Sequence, residues 1–130
     1  MKYSKLGNTG VDVSVLCLGS QTWGEQNSEL EAFAQMDMVV DGGINFFDTA
    51  EVYPFPVKEE TSGRTETIIG SWFKKRKCRN KIILATKVAS RSNMTWIDKE
   101  GTRLTPSRIR SAVEGSLKRL QTDYIDLYQL

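Results

Sequence analysis

Short apolar runs alternate with longer amphipathic stretches along this chain. That alternation constrains the fold more than any other feature. Val15-Leu16-Cys17-Leu18, ended by Gly19, reads as a buried strand, and so does Ile44 to Phe47, ended by Asp48. Lys81 to Val88, with Ile82-Ile83-Leu84-Ala85 as its apolar core, gives a third strand, and Tyr124 to Leu130 a fourth. The intervening stretches carry helix signals. Ser28 and Glu31 have the spacing of a capping box, in which each side chain satisfies a free backbone donor. Phe33, Met36, Val39 and Val40 follow at helical spacing, and Gly42-Gly43 ends that helix. A second helix starts near Thr65, with Ile68, Ile69, Trp72 and Phe73 as its apolar face. The third has Thr105 as its cap and Pro106 at its first position. Ile109, Ala112, Val113, Leu117 and Leu120 line one face of it.

Ahead of these elements, Tyr3 to Leu6 and Val11 to Val13 flank the turn formers Gly7-Asn8-Thr9-Gly10, which predicts a hairpin. The expected order is therefore a hairpin followed by β-α-β-α-β-α-β. Strands alternating with amphipathic helices imply an α/β fold with a parallel sheet and right-handed crossovers. An open doubly wound sheet and part of a (β/α)₈ barrel both fit. No G-x-G-x-x-G or P-loop follows any of the strands, which disfavours a Rossmann nucleotide site. A complete barrel needs about 250 residues, so 130 residues supply about half of one.

Composition excludes several chemistries. The chain has no histidine, so His-metal sites and Ser-His-Asp or Cys-His catalysis within it are ruled out. Cys17 and Cys78 are too few for a four-cysteine zinc site, lie far apart, and read as buried structural thiols in a reducing compartment. Eighteen Lys and Arg against 16 Asp and Glu give a net charge of +2, too small to imply a nucleic-acid partner. The basic run Lys74 to Lys77 reads as a solvated helix C-terminus, where cations complement the helix dipole. Asp98-Lys99-Glu100-Gly101 reads as a tight turn in the long polar stretch Ser90 to Leu104. No window has the roughly 20 apolar residues needed to span a bilayer, and no signal peptide is visible, so the cytoplasm is the expected location.

In both architectures, functional groups gather at the C-terminal ends of strands. Asp48 ends the second strand, Lys87 lies near the end of the third, and Tyr53 follows Asp48 by five residues. A phenol is a poor proton donor at neutral pH, ionising near about pH 10. A neighbouring ammonium favours its phenolate, and a carboxylate would hold that ammonium in place. Such a phenol could donate a proton to a carbonyl oxygen. Taken singly, Asp48 also reads as a cap, Lys87 as a solvated strand end, and Tyr53 as a loop residue.

The segment Asn45-Phe46-Phe47-Asp48-Thr49-Ala50-Glu51-Val52-Tyr53 resembles the signature of the aldo/keto reductase family. Ile83 to Val88 resembles that family's catalytic-lysine segment, and Leu117 to Leu130 the run leading to a catalytic histidine. The opening Tyr3 to Gly24 fits as well, with the hairpin plugging the barrel floor. Gly24 to Ser28 and Tyr53-Pro54-Phe55-Pro56 look like the Tas-type subgroup. The resemblance runs through essentially all 130 residues.

The resemblance implies the N-terminal half of a (β/α)₈ TIM barrel, residues 1–130 being a partial reductase domain truncated after the fourth barrel strand. It implies reduction of aldehydes or ketones by NADPH, with Tyr53 as proton donor and Asp48 and Lys87 tuning it. Ser20, Gln21, Gln26 and Asp48 would lie on the cofactor side. Trp23 and Phe55 would form an apolar substrate wall or simply pack, and Trp96 has the same two readings. The family's histidine would fall at position 131, and most contacts to the cofactor's pyrophosphate, ribose and adenine would lie outside this chain. The exposed strand edges would pair with the missing half-barrel, and the 130 residues alone would be inactive. An alternative reading on the same fold is a non-catalytic NADPH-binding regulatory or interaction subunit, as in the family's potassium-channel β-subunits.

Overall fold

The computed structural model describes residues 1–99 and 101–130. Its elements are β1 (Tyr3–Lys5), β2 (Asp12–Ser14), β3 (Cys17–Gly19), α1 (Glu29–Asp41), β4 (Phe46–Asp48), α2 (Arg64–Arg76), β5 (Ile83–Lys87), α3 (Pro106–Leu120) and β6 (Leu127–Gln129). A short 3₁₀ turn, Arg79–Lys81, leads into β5. β1 and β2 form an antiparallel hairpin. β3, β4, β5 and β6 form a parallel sheet in that order. The expected order of elements is the observed one. The strands are shorter than the apolar runs suggest, because several apolar residues lie in the approaches to the ladder and not in it.

The helix ends follow the sequence closely. Ser28 and Glu31 make both bonds of the capping box, a device that stabilises a helix start by about 1 kcal/mol. Thr105 Oγ1 accepts from the Arg108 amide at 3.3 Å, with Pro106 in the first turn. At the end of α1 the left-handed residue is Gly43 (φ +86°), while Gly42 remains right-handed. Gly43's carbonyl accepts from the Tyr3 hydroxyl at 2.6 Å, which pins the hairpin to the end of α1. Asn45 completes that attachment: its side chain accepts from the Ser14 amide at 2.7 Å and donates to the Asp12 carbonyl at 3.0 Å. The hairpin therefore sits at the N-terminal edge of β4, on the floor side of the sheet.

One face of the sheet is buried by the helices. Phe47 and Leu84 point to it and are almost fully enclosed, with Met36, Ile69, Trp72 and Leu120 packed around them. Trp72 stacks at 5.8 Å from Phe47 and donates its indole N–H to Asp37 at 2.8 Å, so a polar atom in the core has a partner. Gly70 lets α2 and α3 meet: a Cβ there would lie 2.3 Å from the Arg119 carbonyl oxygen.

The same layer holds an ionic network that apolar periodicity does not announce. Glu66 is fully buried, and its carboxylate accepts from Thr86 at 2.6 Å and Arg119 at 2.7 Å. The line of α3 that is buried runs through Arg108, Ala112, Ser116 and Leu120. Ile109, Val113 and Leu117, expected at the centre of the buried face, are only half-buried at its edge. Arg108 belongs to that line because it pairs with the Glu51 carboxylate, and the Ser116 hydroxyl accepts at 3.3 Å from Arg119, which pairs with Glu66 beside it.

Two further expectations are corrected. Val15 and Leu16 are not strand residues; they are 58% and 56% exposed in a turn held by the Ser14 hydroxyl on the Leu16 carbonyl. Cys78 is buried, but Cys17 is exposed, because it lies on the open face of the sheet. In the basic run, Arg76 pairs with Asp37 at 2.5 Å and Lys75 lies 5.5 Å from the Phe33 ring centroid. The Gly101 amide bonds to the Asp98 carbonyl at 2.8 Å, as a tight turn requires; Glu100 lies outside the described residues. Among the described residues, no helix is long and apolar enough to cross a membrane.

Candidate active site

The opposite face of the sheet carries Cys17 and Gly19 of β3, Phe46 and Asp48 of β4, Ile83, Ala85 and Lys87 of β5, and Leu127 and Gln129 of β6. These residues share a face because side chains alternate along a strand and the strands are in register. Polar groups gather at its C-terminal edge. Asp48 pairs in register with Gly19 on one side and Ala85 on the other.

Lys87 Nζ donates to Asp48 Oδ2 at 2.6 Å and to the Thr49 carbonyl at 2.7 Å. The same ammonium lies 5.0 Å from the centroid of the Tyr53 ring. The three residues singled out in sequence thus converge. The ammonium spends its hydrogen bonds on Asp48 and Thr49 and meets Tyr53 over its ring. Asp48 and Lys87 are 30% and 28% exposed as side chains, so the pair is half-desolvated and open to a bound molecule. The second oxygen of Asp48 accepts from Gln129 Nε2 at 2.9 Å. Gln129 escaped the sequence reading, although it shares the phase of Leu127, two residues earlier on the same face.

Tyr53 is carried by a loop that extends the β4–β5 ladder. The Thr49 amide bonds the Ala85 carbonyl at 2.9 Å, and the Glu51 amide bonds the Lys87 carbonyl at 3.1 Å. The Ala50 carbonyl then accepts from the Tyr53 amide at 3.2 Å, closing a turn. The Ser20 hydroxyl is buried and donates to the Asp48 carbonyl at 2.8 Å, fastening the end of β3 to the end of β4. Gln21 is exposed, and its carbonyl accepts from the Phe55 amide at 2.7 Å. Gln26 Nε2 reaches the Phe55 carbonyl at 3.4 Å. Lys58 pairs with Glu25, joining the same two loops.

The aromatic residues separate. Phe55 is 55% exposed beside this edge. Trp23 is 1% exposed, belongs to the core and donates its indole N–H to Gln35 at 2.7 Å, so it packs and does not form a wall. Trp96 borders a groove of about 530 Å³ shared with Glu51, Ser62, Arg108 and Ser111, on the helix side of the sheet. Among the described residues, no group of three or more His, Cys, Asp or Glu side chains could hold a metal ion.

The face can accept a flat, uncharged ring. A Cβ at Gly19 would meet nothing within 4 Å, so a shelf stays open beside Asp48. Cys17, on the same face, is a neutral thiol: although the residue is exposed overall, neighbouring atoms partly desolvate its sulfur, and this first and the Asp48 charge second push its pKa up to about 11. The Lys87 charge is matched by Asp48. This suits the nicotinamide end of a dinucleotide.

Parallel strands, covering helices and polar groups gathered at the strand C-termini are the N-terminal part of a (β/α)₈ barrel. Solved structures agree: the holo form of aldo-keto reductase AKR11C1 from Bacillus halodurans superposes with a TM-score of 0.78 at 42% identity, covering 100% of this chain and 40% of that one. The profile of the Aldo/keto reductase family matches residues 15–130, and the chain belongs to that family. Protein tas of Escherichia coli is 48% identical over 132 residues, which cover 100% of this chain and 38% of that protein. YrpG of Bacillus subtilis, an uncharacterized oxidoreductase, is 47% identical over 134 residues, covering 100% and 40%. The chain thus spans about two fifths of the length of these relatives.

Proposed function

We propose that the protein to which this chain belongs is an NADPH-dependent oxidoreductase that reduces aldehydes or ketones to alcohols. The observation that carries this reading is the convergence of Lys87 with Asp48 at 2.6 Å and with the Tyr53 ring at 5.0 Å. NADPH bound along the open face would supply hydride to the carbonyl carbon. Tyr53 donates the proton to the carbonyl oxygen as that hydride arrives. Lys87 favours negative charge developing on the phenol, and Asp48 holds the ammonium in place. Ser20, Gln21 and Gln26 sit on the cofactor side, and Phe55 forms an apolar boundary for the substrate. The free edges of β3 and β6 take the remaining strands of the barrel.

The test is NADPH oxidation by the full-length protein with a panel of aldehydes, comparing wild type with Tyr53→Phe. Wild-type turnover that falls by roughly 100-fold or more in the variant is the expected result, the scale of general acid catalysis. Equal inactivity of both while NADPH still binds sinks the reductase reading. That outcome would favour the non-catalytic regulatory subunit.

A further inference from the structure

The loop that carries Tyr53 is held from behind as well as from the site. Asp48 points to the open face, and Glu51, three residues on, points to the helix side. The Glu51 carboxylate is buried, at 7% exposure, and accepts from the Ala89 amide and from Arg108 Nη2. Arg108, also 7% exposed, belongs to the first turn of α3, whose start is fixed by the Thr105 cap. Glu51 therefore joins three pieces of backbone: its own loop, the end of β5 and the start of α3.

A buried carboxylate is costly unless its oxygens are partnered. Here the Ala89 amide and Arg108 Nη2 converge on Glu51 Oε1, and the guanidinium charge offsets that of the carboxylate. Its location gives it a second consequence. The Glu51 amide bonds the Lys87 carbonyl, and its side chain bonds the Ala89 amide, so the loop grips the chain on both sides of Val88, just past the end of β5. Tyr53 follows two residues later. Any slip of residues 49–53 along β5 would move the Tyr53 ring relative to the Lys87 ammonium.

We infer that the buried Glu51–Arg108 pair is a positioning element that holds Tyr53 in place over Lys87. Neither residue touches the reacting atoms. The inference rests on the reductase reading given above. Its test uses the full-length protein with Arg108→Met, Arg108→Lys, Glu51→Gln and, as control, Tyr53→Phe. In Arg108→Met, kcat is expected to fall roughly 10- to 100-fold, the scale of a displacement of about 1 Å, with KM and NADPH affinity within about threefold of wild type. Arg108→Lys recovers most of that loss.

A readout independent of turnover is the phenolate absorbance of Tyr53, isolated as the difference from Tyr53→Phe. Its titration midpoint moves in Arg108→Met and in Glu51→Gln. Should the single variants fail to fold, Glu51→Gln combined with Arg108→Met removes both buried charges and is measured instead. Folded variants with wild-type kcat and an unmoved Tyr53 titration overturn the inference alone. So does a double variant that cannot fold, which assigns the pair to stability only. A wild-type protein without carbonyl turnover overturns the functional reading, and the inference with it.

Discussion

Lys87 Nζ sits 2.6 Å from Asp48 Oδ2, and Gln129 holds the other oxygen of that carboxylate at 2.9 Å. The carboxylate thus has a fixed orientation between two strands. Asp48→Asn keeps the shape and removes the charge that orients the ammonium. In the full-length protein, kcat for carbonyl reduction should fall by roughly 100-fold, the lower end of what a general acid contributes. Stability should hardly move, because solvent reaches both partners. An NADPH-oxidation assay with parallel urea titration measures both. An unchanged rate would show that the carboxylate does not tune the site.

Gly70→Ala sets two effects against each other. Alanine is the better helix former by about 1 kcal/mol. Its Cβ, however, would lie 2.3 Å from the Arg119 carbonyl oxygen and 2.7 Å from the Leu120 carbonyl carbon, both backbone atoms. Forcing the helices apart costs on the order of 1–3 kcal/mol or more. The clash wins, and urea titration should give a net loss of about 2 kcal/mol. A stabilised variant would contradict the close α2–α3 contact.

Acid should weaken the junction of α1 and α2. The Arg76 guanidinium, assisted by the Trp72 indole, holds the Asp37 carboxyl at about 2. A folded-state value below the unfolded one means stabilisation above about pH 4 that is lost as pH falls toward 2. Urea midpoints of wild type and Asp37→Asn should therefore converge between pH 4 and 2. A constant gap across that window would reject the assignment.

Alkali should act through Tyr128. Burial first, and the Glu51 charge second, push its phenol up to about 12. A raised folded-state value stabilises the neutral form, so stability is complete below about pH 10 and falls as pH rises toward 12. Its buried hydroxyl has no partner among the described residues. Tyr128→Phe removes that unsatisfied group, so it should be neutral or stabilising by about 1 kcal/mol at pH 7. It should also flatten the alkaline decline. A variant that loses stability at neutral pH would show that the hydroxyl is bonded.

Local patterns carried much of this molecule. The capping box of Ser28 and Glu31, the Thr105-Pro106 start and the alternation of strands with helices depend on residues within a turn or two of one another. So does the placement of Asp48 and Lys87 at strand ends, which follows from where the apolar runs stop. Three positions needed more than local pattern. Cys17 reads as an inside residue because it is apolar and flanked by apolar residues, but its phase puts it on the open face. Trp23 reads equally as wall or core, and packing against α1 and α2 makes it core. Ile109, Val113 and Leu117 mark an apolar stripe, but the buried line of α3 is set by charged partners on other elements.

By itself the sequence determined the element order, the parallel α/β class and the residue types needed at the strand ends. These follow from periodicity, capping and turn chemistry over short separations. Tertiary structure alone decided which groups meet. Gln129 reaches Asp48 across 81 residues, and Arg108 reaches Glu51 across 57. Contacts at such separations depend on strand register and helix packing, which make one partner available to a buried charge and leave another in solvent.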